Sequence, residues 1–157
     1  MTLTTDIFSK FDKQWALLTA GNKDSFNTMT VSWGGLGTIW SKPVATVYVR
    51  TSRYTHEFMD REDYFTVSFY PEKYKKELAV LGAKSGRDMD KMNASGLTPK
   101  AVENSMTFEE AELTLVCKKL FMQNLDPANM NEDIRNTFYS KDAAHDMYIG
   151  EVVAILE

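Results

Sequence analysis

The residues best equipped for chemistry fall into four islands. Asn27, Thr28, Thr30 and Ser32 crowd hydrogen-bonding side chains into one short stretch, and Trp33 closes it with a planar ring placed to face a ligand. Polar and apolar residues alternate through Val31, as in a half-buried strand that breaks at Gly34-Gly35. An edge strand with its hydroxyls in water explains the same pattern, because β-branched polar residues are common on strand surfaces. The second island, Arg50-Thr51-Ser52-Arg53-Tyr54-Thr55, joins the most strand-like segment of the chain to the start of a helix. Unpaired amides and the helix dipole favour an anion there, and the two guanidiniums and the hydroxyls suit a phosphate. A solvated loop with Thr55 as helix cap is the competing reading. The third island, residues 84–91, reads on composition as a charged surface turn. The fourth is His145, a lone histidine five residues ahead of Gly150.

Other chemistries find little support. His56 and His145 are far apart in sequence, and no Cys or carboxylate cluster has metal-ligand spacing, so no metal site is expected. Cys117 sits in an apolar strand and reads as buried and inert rather than nucleophilic. The glycine-rich dinucleotide fingerprint and the P-loop lysine motif are both absent. No residue is singled out as a catalytic acid, base or nucleophile.

The elements that must position these islands are mostly strands. Residues 1–13 read as an arm or helical turn with Ile7, Phe8 and Phe11 as docking points. Residues 15–20 form a short apolar strand that ends at Gly21-Asn22 and makes a hairpin with the first island. A turn is expected at Ser41-Lys42-Pro43. Residues 44–50 are rich in β-branched side chains, as in a strand buried on both faces. A helix is expected over 55–61, a strand over 64–69, and a helix after Pro71 with Tyr74, Leu78 and Leu81 as its apolar stripe. Beyond the third island come a helical turn at 89–92, a weak strand over 101–108, a strand over 111–121, a short helix over 131–139 and a final strand over 147–156. Paired strands without regular strand–helix alternation favour an antiparallel sheet or barrel with helices outside.

The 157 residues are most simply one domain spanning 1–157, with a globular composition of 43% hydrophobic and 25% charged residues. A net charge of −4 argues against nucleic acid as a partner, and no apolar run is long enough for a membrane helix. The polar, acidic N-terminus lacks a signal-peptide layout, and the single cysteine permits no internal disulfide. A cytoplasmic protein is the expectation.

Taken in order, the islands resemble the motifs of the flavin reductase-like family, the FMN-binding split barrels that include flavoredoxins. Asn27-Thr28-Met29-Thr30 with Ser32-Trp33-Gly34 is similar to the family's N-x-M-T-x-S-W-G strand. Ser52, Arg53 and Thr55 match its phosphate loop, Ser85-Gly86-Arg87-Asp88 with Asp90-Lys91 its S-G-R-D-x-D-K run, and His145 with Gly150-Glu151-Val152 its H-x-x-x-x-G-E-V ending. The match runs from about residue 15 to 155. The resemblance implies a mainly β fold, a six-stranded antiparallel split β-barrel with short outer helices, assembled as a homodimer around FMN. It would place Asn27, Thr28, Met29 and Trp33 around the isoalloxazine, and Ser52, Arg53 and Thr55 at the phosphate. Lys91 and His145 would reach the ring's polar edge or the ribityl chain, with Thr30 and Ser85 completing the cofactor-binding set. The implied activity is an oxidoreductase that takes a hydride from NAD(P)H and passes electrons to free flavin, an Fe(III) complex or another acceptor. Two alternatives stand beside it: an FMN electron carrier serving a redox-protein partner, and a cofactor-free binding barrel. Ala144 departs from the acidic residue that many relatives carry before the histidine, and the sequence given ends at Glu157, where longer members continue.

Overall fold

The computed structural model describes residues 1–83, 85–87 and 90–157, without the side chains of Lys91 and Met92. Among the described residues, β1 (Ala16–Asn22), β2 (Ser25–Val31), β3 (Gly34–Ile39), β4 (Lys42–Arg50), β5 (Tyr64–Phe69), β8 (Leu113–Asn124) and β9 (His145–Leu156) form one antiparallel sheet. Its spatial order is β2-β1-β5-β8-β9-β4-β3. The edges of this sheet are consecutive in the chain, with only Ser32 and Trp33 between Val31 and Gly34. Laid flat, seven strands would hold their outer members roughly 29 Å apart, at about 4.8 Å per strand. Three Cα steps cover at most about 11 Å. The sheet therefore has to curl until its edges meet at Trp33, and because β2 and β3 do not pair, the barrel stays split at that point. Seven strands rather than six make up the barrel wall, and the split-barrel class is as expected.

A core fills the barrel with Leu18, Met29, Val47, Phe65, Val67, Phe69, Leu115 and Tyr148. β1 is buried on both faces, since Leu17 points outward into a second cluster with Tyr70, Leu78, Leu81 and Phe108. That double burial explains the apolar run at 16–20, interrupted only by Thr19. The second cluster lies under α3 (Lys75–Ala83), which follows Pro71 through a 3-10 turn at Glu72–Tyr74 and buries Leu78 and Leu81 as expected. A separate hairpin, β6 (Pro99–Val102) with β7 (Ser105–Phe108), replaces the single strand expected over 101–108. Asn104 makes the tight turn possible in the left-handed conformation (φ 64°), which asparagine tolerates better than most residues. The β3–β4 turn lies at Trp40-Ser41, ahead of the expected position; both residues have positive φ, and Lys42 and Pro43 already belong to β4. The short helices are α1 (Ile7–Ser9), α2 (Tyr54–Arg61), α4 (Lys91–Ser95) and α5 (Glu132–Phe138), with a π turn at Lys10–Gln14 continuing α1.

Candidate cofactor site

β4 hands the chain to α2 through a turn that leaves donors exposed. The Arg53 amide bonds to Arg50 O (3.0 Å), the Thr51 amide to Ala144 O (3.1 Å), and the His56 amide to Arg53 O (3.0 Å). Among the described residues the amides of Tyr54 and Thr55 find no backbone acceptor, as expected for the first turn of a helix. Arg53 stands at this helix start and lines two adjoining cavities. One, of about 170 Å³, is bordered by Met29 through Trp33, Tyr48, Arg50 and His145. The other, of about 150 Å³, runs past Ser52, Thr55, Gly82 and Ser85.

Sheet register brings Arg50 and His145 together. They are directly opposed in the β4–β9 ladder, so their side chains emerge on one face. Arg50 donates through Nη1 to Ala143 O (2.7 Å) and lies 5.2 Å from the centre of the Tyr139 ring. The Tyr139 hydroxyl meets His145 Nδ1 at 2.6 Å. Trp33, 42% exposed, packs 5.3 Å from the His145 ring and edge-on to Phe138 at 5.2 Å. Burial, and then the charge on Arg50, lowers the His145 imidazole to about pH 4, so it is neutral near pH 7. Burial and the same neighbour also lower Arg53, which stays cationic. Among the described residues no carboxylate pairs with either arginine, and none lines either cavity, although the chain as a whole carries net negative charge.

The first three islands meet here. Asn27, buried, donates through Nδ2 to Thr55 Oγ1 (2.8 Å), tying β2 to α2. Gly86 lies so close that a Cβ would stand 2.5 Å from Asn27 Oδ1 and 2.9 Å from the Tyr54 ring. Arg87 clamps this loop down by donating to Ser52 O (3.1 Å), pairing with Glu57 and covering Tyr54. Ser85 Oγ accepts from the Arg87 amide (3.2 Å) and borders the second cavity. Met29 is buried in the barrel core and borders the first cavity. Thr30 borders the same cavity and spends its hydroxyl on Leu78 O of α3. Thr28 lies on the strand face opposite Met29, where its fully buried hydroxyl bonds to Thr19 Oγ1 (2.8 Å) and Leu18 O (3.1 Å). The expectation for Lys91 concerns a side chain outside the described residues; its backbone opens α4 behind Asp90. The Asp88 position of the third motif is also outside them.

Sequence reasoning passed over Tyr48, Phe138 and Tyr139, which border or buttress the first cavity. The one available signal for the last two was an aromatic pair at a helix end a few residues before His145.

The donor set suits a ligand with an anionic tail and a flat aromatic head. Arg53 and the α2 amides face one end, and Trp33 and neutral His145 the other. The profile of the family described as "Flavin reductase like domain" matches residues 8–157. No curated protein sequence matches. Among solved structures, an FMN-binding protein from Thermus thermophilus with bound p-hydroxybenzaldehyde superposes with a TM-score of 0.70 at 22% identity, covering 91% of this chain and 70% of its own. A flavoredoxin from Methanosarcina acetivorans gives 0.70 at 23%, with 92% and 68% covered. A protein with a split barrel domain from Shewanella frigidimarina gives 0.71 at 18%, with 91% and 66% covered.

Proposed function

This chain belongs to the flavin reductase-like family, and on that premise we propose that it is an FMN-dependent oxidoreductase using NAD(P)H as electron donor. One observation carries the reading: two arginines without a carboxylate partner stand beside unpaired helix amides, next to a cavity bordered by an exposed indole and a neutral imidazole. Arg53, Thr55 and the Tyr54 and Thr55 amides would hold the phosphate by charge-assisted hydrogen bonds. Trp33 and Met29 would border the ring system. His145 Nε2 has no protein partner among the described residues, so it is available to donate or accept at the ring's polar edge. Bound FMN would supply the redox chemistry, taking a hydride from NAD(P)H and releasing electrons to free flavin, an Fe(III) complex or another acceptor. The protein's part is to orient, to shield from water and to fix charge near that edge.

A homodimer belongs to this reading, supported by exposed apolar side chains that meet through the Trp40 and Phe121 rings, 6.1 Å apart: Ile39 and Trp40 at the β3–β4 turn, and Leu120, Phe121 and Met122 on β8. Light scattering after gel filtration tests it, with a monomer at micromolar concentration as the contrary result.

The purified protein is expected to be yellow and to release FMN on denaturation. Anaerobic NADH or NADPH should bleach it rapidly. Bleaching by dithionite or a reduced redox protein alone would favour an electron carrier of the flavoredoxin kind. A colourless protein with no affinity for added FMN would overturn both readings.

A further inference from the structure

The two ends of the candidate site sit on different elements. Arg53 and Thr55 ride at the start of α2, whereas His145 opens β9. A chain of buried and half-buried polar groups behind the site fastens these elements to each other. His56 and Asp60, four apart on α2, share one helix face; Asp146 and Tyr148, two apart on β9, share one strand face. The spacings match, at about 6 Å along the helix and about 6.8 Å along the strand, so the helix can lie along the strand with both pairs engaged. His56 Nε2 meets Asp146 Oδ2 at 2.6 Å, and His56 Nδ1 lies 3.4 Å from Asp60 Oδ2. The Tyr148 hydroxyl donates to Asp60 Oδ1 at 2.6 Å, and Asn124 on β8 donates to Asp146 Oδ1 at 2.9 Å.

None of these groups borders either cavity. They are costly to place there unless fully satisfied, since a buried carboxylate needs partners. Asp146 is 6% exposed. Burial acts to raise its carboxyl, but the bonds from His56 and Asn124 and the charge of His56 bring it below the usual carboxylate range. The arrangement fixes α2 in register along β9 and so sets how far the phosphate-facing end lies from His145.

We propose that His56, Asp146, Asp60 and Tyr148 are positioning residues that hold the phosphate-binding start of α2 in place. The proposal rests on the FMN reading above. Its signature is selective: loosening α2 weakens contacts to a phosphate more than contacts to an isoalloxazine ring. FMN and riboflavin, which differ only by the phosphate, are therefore the two probes, titrated by flavin fluorescence against His56→Asn and Asp146→Asn. FMN affinity should fall about tenfold, with riboflavin affinity changed less than about twofold. Tyr148→Phe removes a single hydroxyl at the other end of the helix and leaves Asp60 half-exposed to water, so it should fold even where the buried variants do not. It should lower FMN affinity about threefold. In an Arg53→Ala background the same Tyr148→Phe change should cost less, because the charged contact it positions is already gone.

Equal losses for FMN and riboflavin would overturn the proposal and leave the network a merely structural brace. Unchanged FMN affinity in Tyr148→Phe and Asp146→Asn would also overturn it. Failure of the unmutated protein to bind FMN at all would instead remove the reading on which it rests.

Discussion

Arg53→Ala separates a binding residue from a structural one, because its two consequences have different signs. In the protein without ligand, Arg53 contributes little that holds the fold together. Among the described residues its side chain makes one hydrogen bond, to Gly82 O at 3.5 Å, the outer limit of such contacts, and it is half-buried beside the like charge of Arg50. Removing it relieves repulsion and desolvation, so stability should stay within about 0.5 kcal/mol of the parent or rise. A phosphate at this position would lose a charge-assisted hydrogen bond worth about 1.5–3 kcal/mol. At about 1.4 kcal/mol per tenfold, that is roughly a ten- to hundredfold weaker FMN complex. Because part of the loss is Coulombic, the gap between parent and variant should narrow from 50 mM to 500 mM salt, as the Debye length falls from above about 10 Å toward roughly 4 Å. The assay is fluorescence titration with FMN and riboflavin at both salt concentrations, alongside urea unfolding of the ligand-free proteins. Equal affinity of parent and variant for FMN would show that the phosphate lies elsewhere. Loss of both flavins together with several kcal/mol of stability would show that Arg53 supports the fold instead.

The remaining expectations concern single groups. His145 should stay neutral in the ligand-free protein down to about pH 4. Its imidazole resonances should then be flat between pH 7.5 and 5, and a midpoint near 6.5 would contradict the burial argument. The unfolded chain takes up that proton near pH 6.5 and the folded one near pH 4, so the stability contribution is complete above about pH 6.5 and is lost as pH falls toward 4. Gly86→Ala should cost about 1–3 kcal/mol in urea unfolding, since a Cβ there collides with Asn27 Oδ1 and Tyr54; an unchanged midpoint would mean that the loop does not press on Asn27. Cys117 is fully buried and its thiol is pushed up by burial. It should react with iodoacetamide only after denaturation, and labelling of the native protein would place it at an opening that the fold does not have.

Legibility in the sequence followed the range of the interaction. The strand over residues 44–50 and the helix start after Arg53 are local patterns, and both appear within two residues of expectation. The hairpin turn at Glu103-Asn104 was readable in principle, since asparagine tolerates the left-handed conformation, but the short strands either side of it carry little periodicity. The turn at Trp40-Ser41 breaks the usual chemistry of a tight hairpin, which prefers Asn-Gly, so local rules pointed to Pro43 instead. The contact of His56 with Asp146 spans 90 positions and depends on where α2 lies against β9. No spacing rule reaches that far. The opposing of Arg50 and His145 is likewise a fact of register, visible only once β4 and β9 are paired.

That register changes where positive charge stands in the site. From the sequence, Lys91 and His145 are the candidates for the flavin's polar edge, and a cation there would stabilise the negative charge that a reduced ring acquires. The fold holds His145 neutral, in part because Arg50 is its cross-strand neighbour. The fixed charge beside it is thus a guanidinium, anchored through Ala143 O and the Tyr139 ring. A protonated imidazole in this position would make a third cation beside Arg50 and Arg53, with no carboxylate paired to offset them among the described residues. Keeping His145 neutral avoids that cost and leaves it able to donate or accept a hydrogen bond. The bond to the Tyr139 hydroxyl is coupled to that choice: donated to Nδ1 it leaves the proton on Nε2, and accepted from Nδ1 it leaves Nε2 an acceptor. In this arrangement Arg50 supplies charge and His145 supplies direction, and the aromatic cluster of Trp33, Phe138 and Tyr139 keeps both side chains at the split in the barrel where the two cavities adjoin.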